Sequence, residues 1–303
     1  MSRATPRVLV VLPVWNAEAT LQEALDSVFL QRGPTFRVLA VDDGSQDRSL
    51  EILRAQRDPR LEVHARDHEG LSLTMNHCIR YAATEGYEYL MRMDSDDLSK
   101  PGRFERLVRY LDAKPAYAAA SSNCEYFTSD GKGGGSSTVS VRKRQIAFEI
   151  RHGLRGLIQG ASCFRTAALT AVGGYRPVFR VAEDADLFLR LAERFDLGNV
   201  GEYLYRIRVH SRSRSRADLR RNVFYAQYAL DCARRRARAR PERSVEEYAR
   251  WAERYSLELR REYWSMSLWE ASHRGGWRRA LAAPAALLSP RRLVARTLRA
   301  VAG

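Results

Sequence analysis

The chain has 303 residues, which is enough for one large domain or for a domain with a substantial appendage. Hydrophobic residues make up 45% of it and aromatic residues 10%, a composition that excludes an intrinsically disordered chain. The formal net charge is +15, and the segment from Ser211 to the end carries +13 of this, from 22 arginines against nine acidic residues. Arginine binds phosphates and carboxylates through a planar fork, although an arginine-rich genomic base composition would give the same excess.

The cysteines and the hydropathy pattern favour a cytoplasmic protein. Cys78, Cys124, Cys163 and Cys232 are widely spaced and form no Cys-X-X-Cys pair, so we expect buried thiols rather than disulfides or a zinc site. The apolar run at residues 8–15 is too short for a signal peptide. No segment approaches the roughly 18–20 apolar residues of a membrane-spanning helix, so we expect a chain that does not cross a bilayer.

Short apolar strands alternate with helices over the first 115 residues. The pattern predicts strands at 8–14, 36–41, 61–64 and 87–91 and helices at 17–31, 47–56 and 71–83. Such alternation is typical of a parallel sheet. Ligands of open parallel sheets bind beyond the carboxyl ends of the strands, so the loops at 13–16, 42–45 and 94–97 are expected to form one site.

The loop at 94–97 has the strongest chemical signal, because it places Asp94, Asp96 and Asp97 directly after a buried strand. Clustered carboxylates repel one another unless a cation neutralises them, and Mg²⁺ or Mn²⁺ accepts such oxygen ligands together with phosphate oxygens. The loop therefore predicts a metal-diphosphate site. The alternative is that these aspartates cap a helix that begins near Pro101.

The second part of the chain has a less regular pattern. We predict a helix at 103–113, a strand at 116–128, and an exposed Gly- and Ser-rich loop at 129–138. A block at 158–209 contains Gly173 and Gly174, and then the sequence EDADLFLRL, whose acidic residues should open an amphipathic helix. Those acids could instead simply complement the helix dipole. From Asp218 onward the pattern is helical.

Seven stretches carry a family resemblance: VVLPVWNAEATLQEALDSVFLQ, VDDGSQDRS, GLSLTMN, YLMRMDSDDLSKPGRFE, GGY, EDADLFLRL and YRIRVHSRS. With this ordered set the chain resembles the family-2 glycosyltransferases, inverting enzymes with the GT-A fold, over roughly residues 8–215. Residues 92–104 are particularly similar to bacterial enzymes that decorate cell-surface glycans.

The resemblance implies an α/β fold of GT-A type, with a Rossmann-like, mostly parallel sheet between helices and a C-terminal α-helical appendage. We expect a catalytic domain at 1–215, with a nucleotide-binding half at 1–115 and an acceptor half at 116–215. A basic helical region would follow at 216–303. Its last helix, at 290–303, is amphipathic and could bind an anionic membrane surface, or it could cover the catalytic domain or form an oligomer interface.

The resemblance also implies the site residues. The donor, a UDP-, GDP- or dTDP-sugar, would be bound by Pro13, Val14, Asp42, Asp43, Gly70, Asn76 and Asp94, and which of the first two aspartates meets the base stays open. Asp96 would contact Mg²⁺ or Mn²⁺ directly, and Asp94 would bind ribose or a metal-bound water. Asp184 would be the catalytic base that deprotonates an acceptor hydroxyl, with Asp186 as the fallback.

Other residues have two interpretations each. His210 lies where related enzymes place a polar residue that reaches the metal or diphosphate, but a lone histidine is also often a surface or capping residue. Arg206 and Arg208 could bind diphosphate or simply end an exposed strand. The two glycines of GGY could allow close approach of the acceptor or form a plain turn.

The resemblance implies transfer of sugar to a glycan or lipid-linked acceptor in bacterial surface-polysaccharide synthesis. Transfer of a single sugar is expected, because no Gln-X-X-Arg-Trp sequence of processive synthases is present. One alternative is a nucleic-acid-binding protein that uses the arginine-rich C-terminal region, although acidic loops would repel nucleic acid and none is expected as a partner. The other is a sugar-1-phosphate nucleotidyltransferase.

Overall fold

The computed structural model describes residues 7–128, 133–154, 156–209 and 219–254. The chain divides into two compact units, Met1–Val209 and His210–Gly303. The first is built around one sheet, and the described part of the second is helical.

The sheet of the first unit has nine strands in its described residues. They are β1 Val8–Val14, β2 Phe36–Asp43, β3 Leu61–Arg66, β4 Tyr89–Arg92, β5 Leu98–Ser99, β6 Tyr117–Thr128, β7 Gly133–Ser137, β8 Cys163–Arg165 and β9 Asp196–Val209. Their order is β3-β2-β1-β4-β8-β6-β9-β5, and β7 pairs with β6.

The two halves of the sheet differ in strand direction. Strands β1 to β4 pair in parallel, as the alternation of strands and helices predicts. In the second half only β6 and β9 are parallel, and the pairs formed by β8, β7 and β5 are antiparallel. The whole is a mixed sheet with flanking helices, which confirms the predicted GT-A architecture. The pairs among β1 to β4 are all parallel, whereas the rest of the sheet is mixed rather than mostly parallel.

Seven helices of the first unit are described. They are α1 Leu21–Phe29, α2 Ser49–Ala55, α3 Leu71–Thr84, α4 Arg103–Asp112, α5 Lys143–Arg151, α6 Thr166–Ala171 and α7 Glu183–Ala192. Helix α1 buries Leu21, Leu25 and Val28, which recur every three or four residues on one face, against the β1–β4 part of the sheet. Removal of this apolar surface from water drives the packing of helix on sheet.

One expectation and one alternative about local structure are wrong. Part of the predicted exposed loop at 129–138 forms β7, because β6 continues into a return strand whose backbone pairs with Cys124 and Glu125 without needing large side chains. The aspartates at 94–97 do not cap α4: the N-cap residue is Gly102, with φ +82° and no side-chain cap hydrogen bond. The capping alternative therefore fails for this loop.

The described part of the second unit consists of α8 Leu219–Arg236 and α9 Val245–Arg254. Tyr228 and Tyr248 are buried between them, with ring centroids 5.2 Å apart. Within the described residues, no helix has the length and apolar character to cross a membrane. The predicted amphipathic helix at 290–303 lies outside the described residues.

All four cysteines are buried free thiols, as their spacing predicts. Burial raises the pKa of Cys78 and of Cys163 to about 12. Both thiols are therefore protonated at neutral pH and are poor nucleophiles.

Candidate functional site

The loop that holds Asp94 and Asp96 is held in place by two buried arginines, Arg92 and Arg103. Arg92 forms an ion pair with the Asp94 carboxylate and also binds the Met93 carbonyl. Arg103, at the start of α4, donates to the carbonyls of Arg92 at 2.5 Å and Gly160 at 2.7 Å. Burial lowers the pKa of Arg103 to about 10, so the guanidinium stays charged at neutral pH. The loop is therefore rigid at its base, with its first aspartate already oriented.

Asp97 is the buried member of the acidic cluster. It is 5% exposed, and burial, followed by the charges of Asp96 and Asp94, raises its pKa well above the usual value. The backbone amide of Arg208 donates to its Oδ1 at 2.8 Å, and the Tyr205 hydroxyl also hydrogen-bonds to it. Asp97 therefore joins the loop to β9 and does not face a ligand, whereas Asp94 and Asp96 are half-exposed.

Arg208 and Arg206 are both occupied by protein partners. Arg208 is 8% exposed, donates from Nε to the Asp96 carbonyl at 2.9 Å, and binds Glu23 on α1 at 2.5 Å. Arg206 lies above the Phe127 ring at 4.3 Å. Arg208 thus holds the acidic loop against α1 rather than offering its fork to a diphosphate.

Gly160 lies directly against the acidic loop. A Cβ at this position would collide with the Asp94 carboxylate and, at 2.7 Å, with the Tyr205 hydroxyl. The Tyr205 hydroxyl also accepts a hydrogen bond from the Asp94 amide at 3.1 Å. Only glycine allows the backbone at this position to approach Asp94 and Tyr205 so closely. Gly160 and Tyr205 escaped the sequence-based prediction because their role depends on contacts between residues far apart in the chain.

The two aspartates that end β2 have different surroundings. Both oxygens of Asp43 accept backbone amides, from Glu69 and from Gly70, each at 3.0 Å. Oδ2 of Asp42 accepts the Ser45 amide at 3.1 Å, while its Oδ1 is buried and has no hydrogen-bond partner among the residues that the structure describes. Gly70 has φ +90°, a conformation that other residues rarely adopt, so its identity is required by the turn that binds Asp43.

Pro13 and Val14 lie beside these aspartates because β1 and β2 are parallel. Val14 is opposite Asp42 in the register and is buried. The next residue, Trp15, is 51% exposed and stacks on His68 with ring centroids 4.8 Å apart. Sequence reasoning missed Trp15, although an exposed tryptophan at a strand end is a recognisable signal for a flat binding partner.

Asn76 connects α3 to the GGY turn. Its Nδ2 donates to the Tyr175 carbonyl and its Oδ1 accepts the Tyr175 amide, both at 2.7 Å. A Cβ at Gly174 would collide with Oδ1 of Asn76. The amide of Asn76 is therefore satisfied within the protein, and its position fixes the turn that precedes α7. This contact gives Gly174 a structural reason to be glycine.

Helix α7 carries the predicted catalytic base in its first turn. It begins after Ala182, whose φ of +56° is unusual for a residue with a side chain. Asp184 is half-buried, and its Oδ1 accepts the Ala185 amide at 2.8 Å. The positive end of the helix dipole favours the ionised carboxylate here. The prediction that the acidic cluster opens a helix is confirmed.

Asp186, the fallback base, is fully buried and occupied. Its carboxylate accepts Nε of Arg176 at 3.0 Å and Nε of Arg190 at 2.8 Å. Arg190 also donates to the carbonyls of Val172 and Gly174, at 2.6 and 2.7 Å. The pair of arginines therefore joins α7 to the GGY turn, and Asp186 has no face open to an acceptor hydroxyl.

Contacts through Tyr175 connect these parts. Gln159, next to Gly160, donates to the Tyr175 hydroxyl at 3.0 Å. Gly160 itself lies against Asp94, so these two residues link the acidic loop to the GGY turn. Arg190 then links the GGY turn to α7, because it binds both the Gly174 carbonyl and Asp186. His210 lies outside the described residues.

Asp94 and Asp96 provide hard oxygen ligands that suit Mg²⁺ or Mn²⁺. Among the described residues, no group of three His, Cys, Asp or Glu side chains is placed to hold a metal by itself. Mg²⁺ is commonly bound by one or two carboxylates together with substrate phosphates. Asp94 and Asp96 are both partly exposed, so this donor set is compatible with a metal-diphosphate complex.

Comparison with known proteins gives consistent results. The chain is 30% identical over 213 residues to EpsE of Bacillus subtilis (strain 168), which is named as a glycosyltransferase; the match covers 68% of this chain and 74% of EpsE. It is 32% identical to the succinoglycan biosynthesis protein ExoO of Rhizobium meliloti (strain 1021), over 42% of this chain and 36% of ExoO.

Two solved structures share the fold. S. aureus TarS 1-349 in complex with UDP-GlcNAc has a TM-score of 0.59 at 18% identity, covering 74% of this chain and 66% of that one. The mannosyltransferase PcManGT from Pyrobaculum calidifontis, in complex with GDP-Man and Mn²⁺, has a TM-score of 0.58 at 20% identity, covering 98% and 81%. The family described as glycosyl transferase family 2 matches residues 9–173. The chain therefore belongs to glycosyl transferase family 2 and is a glycosyltransferase with the GT-A fold.

Proposed function

We propose that this enzyme transfers one sugar, with inversion, from a nucleotide-sugar donor to a hydroxyl group of a glycan or lipid-linked acceptor in bacterial surface-polysaccharide synthesis. The observation that carries this proposal is the series of contacts that runs from the acidic loop through Gly160, Gln159 and Tyr175 to the GGY turn, which Arg190 joins to α7. In this proposal the donor diphosphate lies at the acidic loop and the base on the first turn of α7. EpsE, named as a glycosyltransferase, supports sugar transfer, and ExoO, named for succinoglycan biosynthesis, supports the polysaccharide assignment.

In this proposal the nucleotide lies over the ends of β1 and β2. Asp42 and Asp43 contact the base and ribose, with Pro13 and Val14 beside them. Trp15 adds a half-exposed aromatic face for stacking on the base. TarS and PcManGT were solved with UDP-GlcNAc and GDP-Man, which supports a nucleotide-sugar donor without selecting the base or the sugar.

The chemistry is assigned to three carboxylates with two separate tasks. Asp94 and Asp96 hold Mg²⁺ or Mn²⁺, which when bound would stabilise the charge that develops on the departing diphosphate; PcManGT was solved with Mn²⁺. Asp184 accepts the proton of the acceptor hydroxyl as that oxygen attacks the anomeric carbon. Attack from the face opposite the leaving diphosphate inverts the anomeric centre.

The proposal is tested by a thermal-shift screen of UDP-, GDP- and dTDP-sugars with Mn²⁺, repeated with EDTA. A donor at about 100 times its Kd stabilises the native state by about 2.7 kcal/mol. That corresponds to a rise in melting temperature of about 5–10 °C for a domain of this size. The rise should disappear with EDTA and in Asp96→Ala.

Product analysis then defines the reaction. Release of a nucleoside diphosphate together with transfer of the sugar to an acceptor supports the proposal. Release of pyrophosphate would instead identify sugar-1-phosphate nucleotidyltransferase chemistry, and the absence of a shift with every donor would contradict donor binding.

A further inference from the structure

The connection between α8 and α9 is held in one conformation by hydrogen bonds. Oγ of Ser244 accepts the Glu247 amide at 3.2 Å while Glu247 accepts the Ser244 amide at 2.8 Å, a reciprocal cap at the start of α9. Tyr228 donates to the Arg243 carbonyl, and Arg235 donates to the Pro241 carbonyl, both at 2.8 Å. The side chains of this connection are therefore presented on a rigid base.

This connection forms a cavity of about 380 Å³, called here the basic cavity. Its lining contains five arginines and one tryptophan, namely Arg234, Arg235, Arg238, Arg240, Arg243 and Trp251. Asp231 is the one carboxylate among the described lining residues, and it forms ion pairs with Arg243 at 2.6 Å and Arg235 at 3.2 Å. That leaves an excess of positive charge in the cavity.

The three remaining arginines, Arg234, Arg238 and Arg240, are exposed, and no carboxylate of the described residues pairs with them. Positive charge in the last turn of a helix is favoured by its dipole, which accounts for Arg234. It does not account for Arg238 and Arg240, which follow the end of α8 at Arg236. Like charges gathered in one cavity repel each other unless an anion is bound.

The geometry points to a diphosphate as that anion. Guanidinium groups bind phosphate oxygens through paired hydrogen bonds, and three of them match a group that carries several negative charges. Trp251, with the Arg243 guanidinium 4.8 Å from its ring, adds a flat apolar wall for what is attached to the diphosphate. We propose that the basic cavity binds the diphosphate of a lipid-linked acceptor. This proposal rests on the proposed function, in which such an acceptor receives the sugar.

The test is isothermal titration of the full-length protein with inorganic pyrophosphate and with farnesyl diphosphate. EDTA and the Asp96→Ala background remove metal-supported binding at the donor site. The double variant Arg238→Gln/Arg240→Gln should bind both ligands roughly tenfold or more weakly, because each charged hydrogen bond contributes strongly. The control Arg54→Gln/Arg144→Gln removes the same charge from exposed positions of the first unit and should bind normally.

The outcomes test separately whether the basic cavity binds a diphosphate and whether that diphosphate belongs to a lipid. Unchanged affinity in the double variant, or no binding of either ligand to the parent protein, overturns the site. Arg234→Gln, tested in parallel, gives the same decision if the double variant does not fold. Tighter binding of farnesyl diphosphate than of pyrophosphate supports the lipid-linked source, and equal affinity overturns that source. A donor thermal shift that fails in otherwise native protein with Mn²⁺ contradicts the proposed function and leaves the cavity result intact.

Discussion

Asp184 and Asp186 lie two residues apart on α7 and have opposite surroundings, so the same conservative substitution should have opposite effects at the two positions. Asp186 is fully buried between Arg176 and Arg190, whereas Asp184 is half-buried in the first turn. Replacement by asparagine keeps the shape of each side chain and removes its charge. We expect Asp186→Asn to lose stability and Asp184→Asn to lose catalysis.

The magnitude for Asp186 follows from its ion pairs. Removal of one partner of a buried pair destabilises a protein by about 3–5 kcal/mol. Because the side chain of Arg176 is 26% exposed and can be solvated, we take the lower value, about 3 kcal/mol. With an m-value of roughly 3 kcal/mol/M, the urea midpoint should fall by about 1 M. Asp184→Asn removes a charge that the helix dipole favours, so it should cost about 0.3–1 kcal/mol, well below the loss at Asp186.

Turnover should show the opposite pattern to stability, with the larger loss in Asp184→Asn. Loss of a general base lowers turnover by about 10²–10⁴-fold, so Asp184→Asn should bind the donor normally and show a kcat reduced by that factor. The folded fraction of Asp186→Asn should retain measurable transfer. The measurements are urea unfolding followed by circular dichroism and product formation at saturating donor, with Asp67→Asn as an exposed control.

Two results would refute this reasoning. A urea midpoint of Asp186→Asn equal to that of the parent protein would show that the two arginines do not depend on this carboxylate. Near-normal turnover of Asp184→Asn would end its assignment as the base and move attention to another acid of the first turn.

Two further predictions concern other parts of the first unit. Gly160→Ala should abolish the donor-induced thermal shift with Mn²⁺, because its methyl group would displace the Asp94 carboxylate. The control Gly156→Ala, whose methyl group would make only an ordinary contact at 3.5 Å, should keep the shift. Equal shifts in the two variants would contradict the close approach of Gly160 to Asp94. Burial, and next the charge of Arg66, lowers the pKa of His77 below its ordinary value of 6.5. The unfolded chain therefore binds the proton more readily than the folded protein, and the free energy of unfolding should fall as the pH drops below about 6.5. His77→Gln should reduce this pH dependence of the urea midpoint, and an unchanged slope would argue against the assignment.

The sequence predicts the first half of the fold well because its signals are local. Apolar runs of strand length, separated by amphipathic helices, identify β1 to β4, and parallel strands necessarily bring their carboxyl ends to one edge. The second half was less predictable. The glycine-rich strand β7 exists through backbone pairing with β6, and the two-residue strand β5 through pairing with β9, so neither has a hydrophobic pattern of its own.

The family resemblance, the alternation of elements and the candidate aspartates can all be read from the amino-acid sequence, because these depend on residue types at fixed spacing. What each aspartate faces depends on the folded chain. Asp96 and Asp97 are neighbours in the chain, yet one is half-exposed and the other buried against Tyr205. Asp184 and Asp186 share a helix turn, yet Asp184 is half-buried whereas Asp186 is fully buried between two arginines. Burial and partners from distant segments set these differences, and a one-dimensional pattern does not contain them.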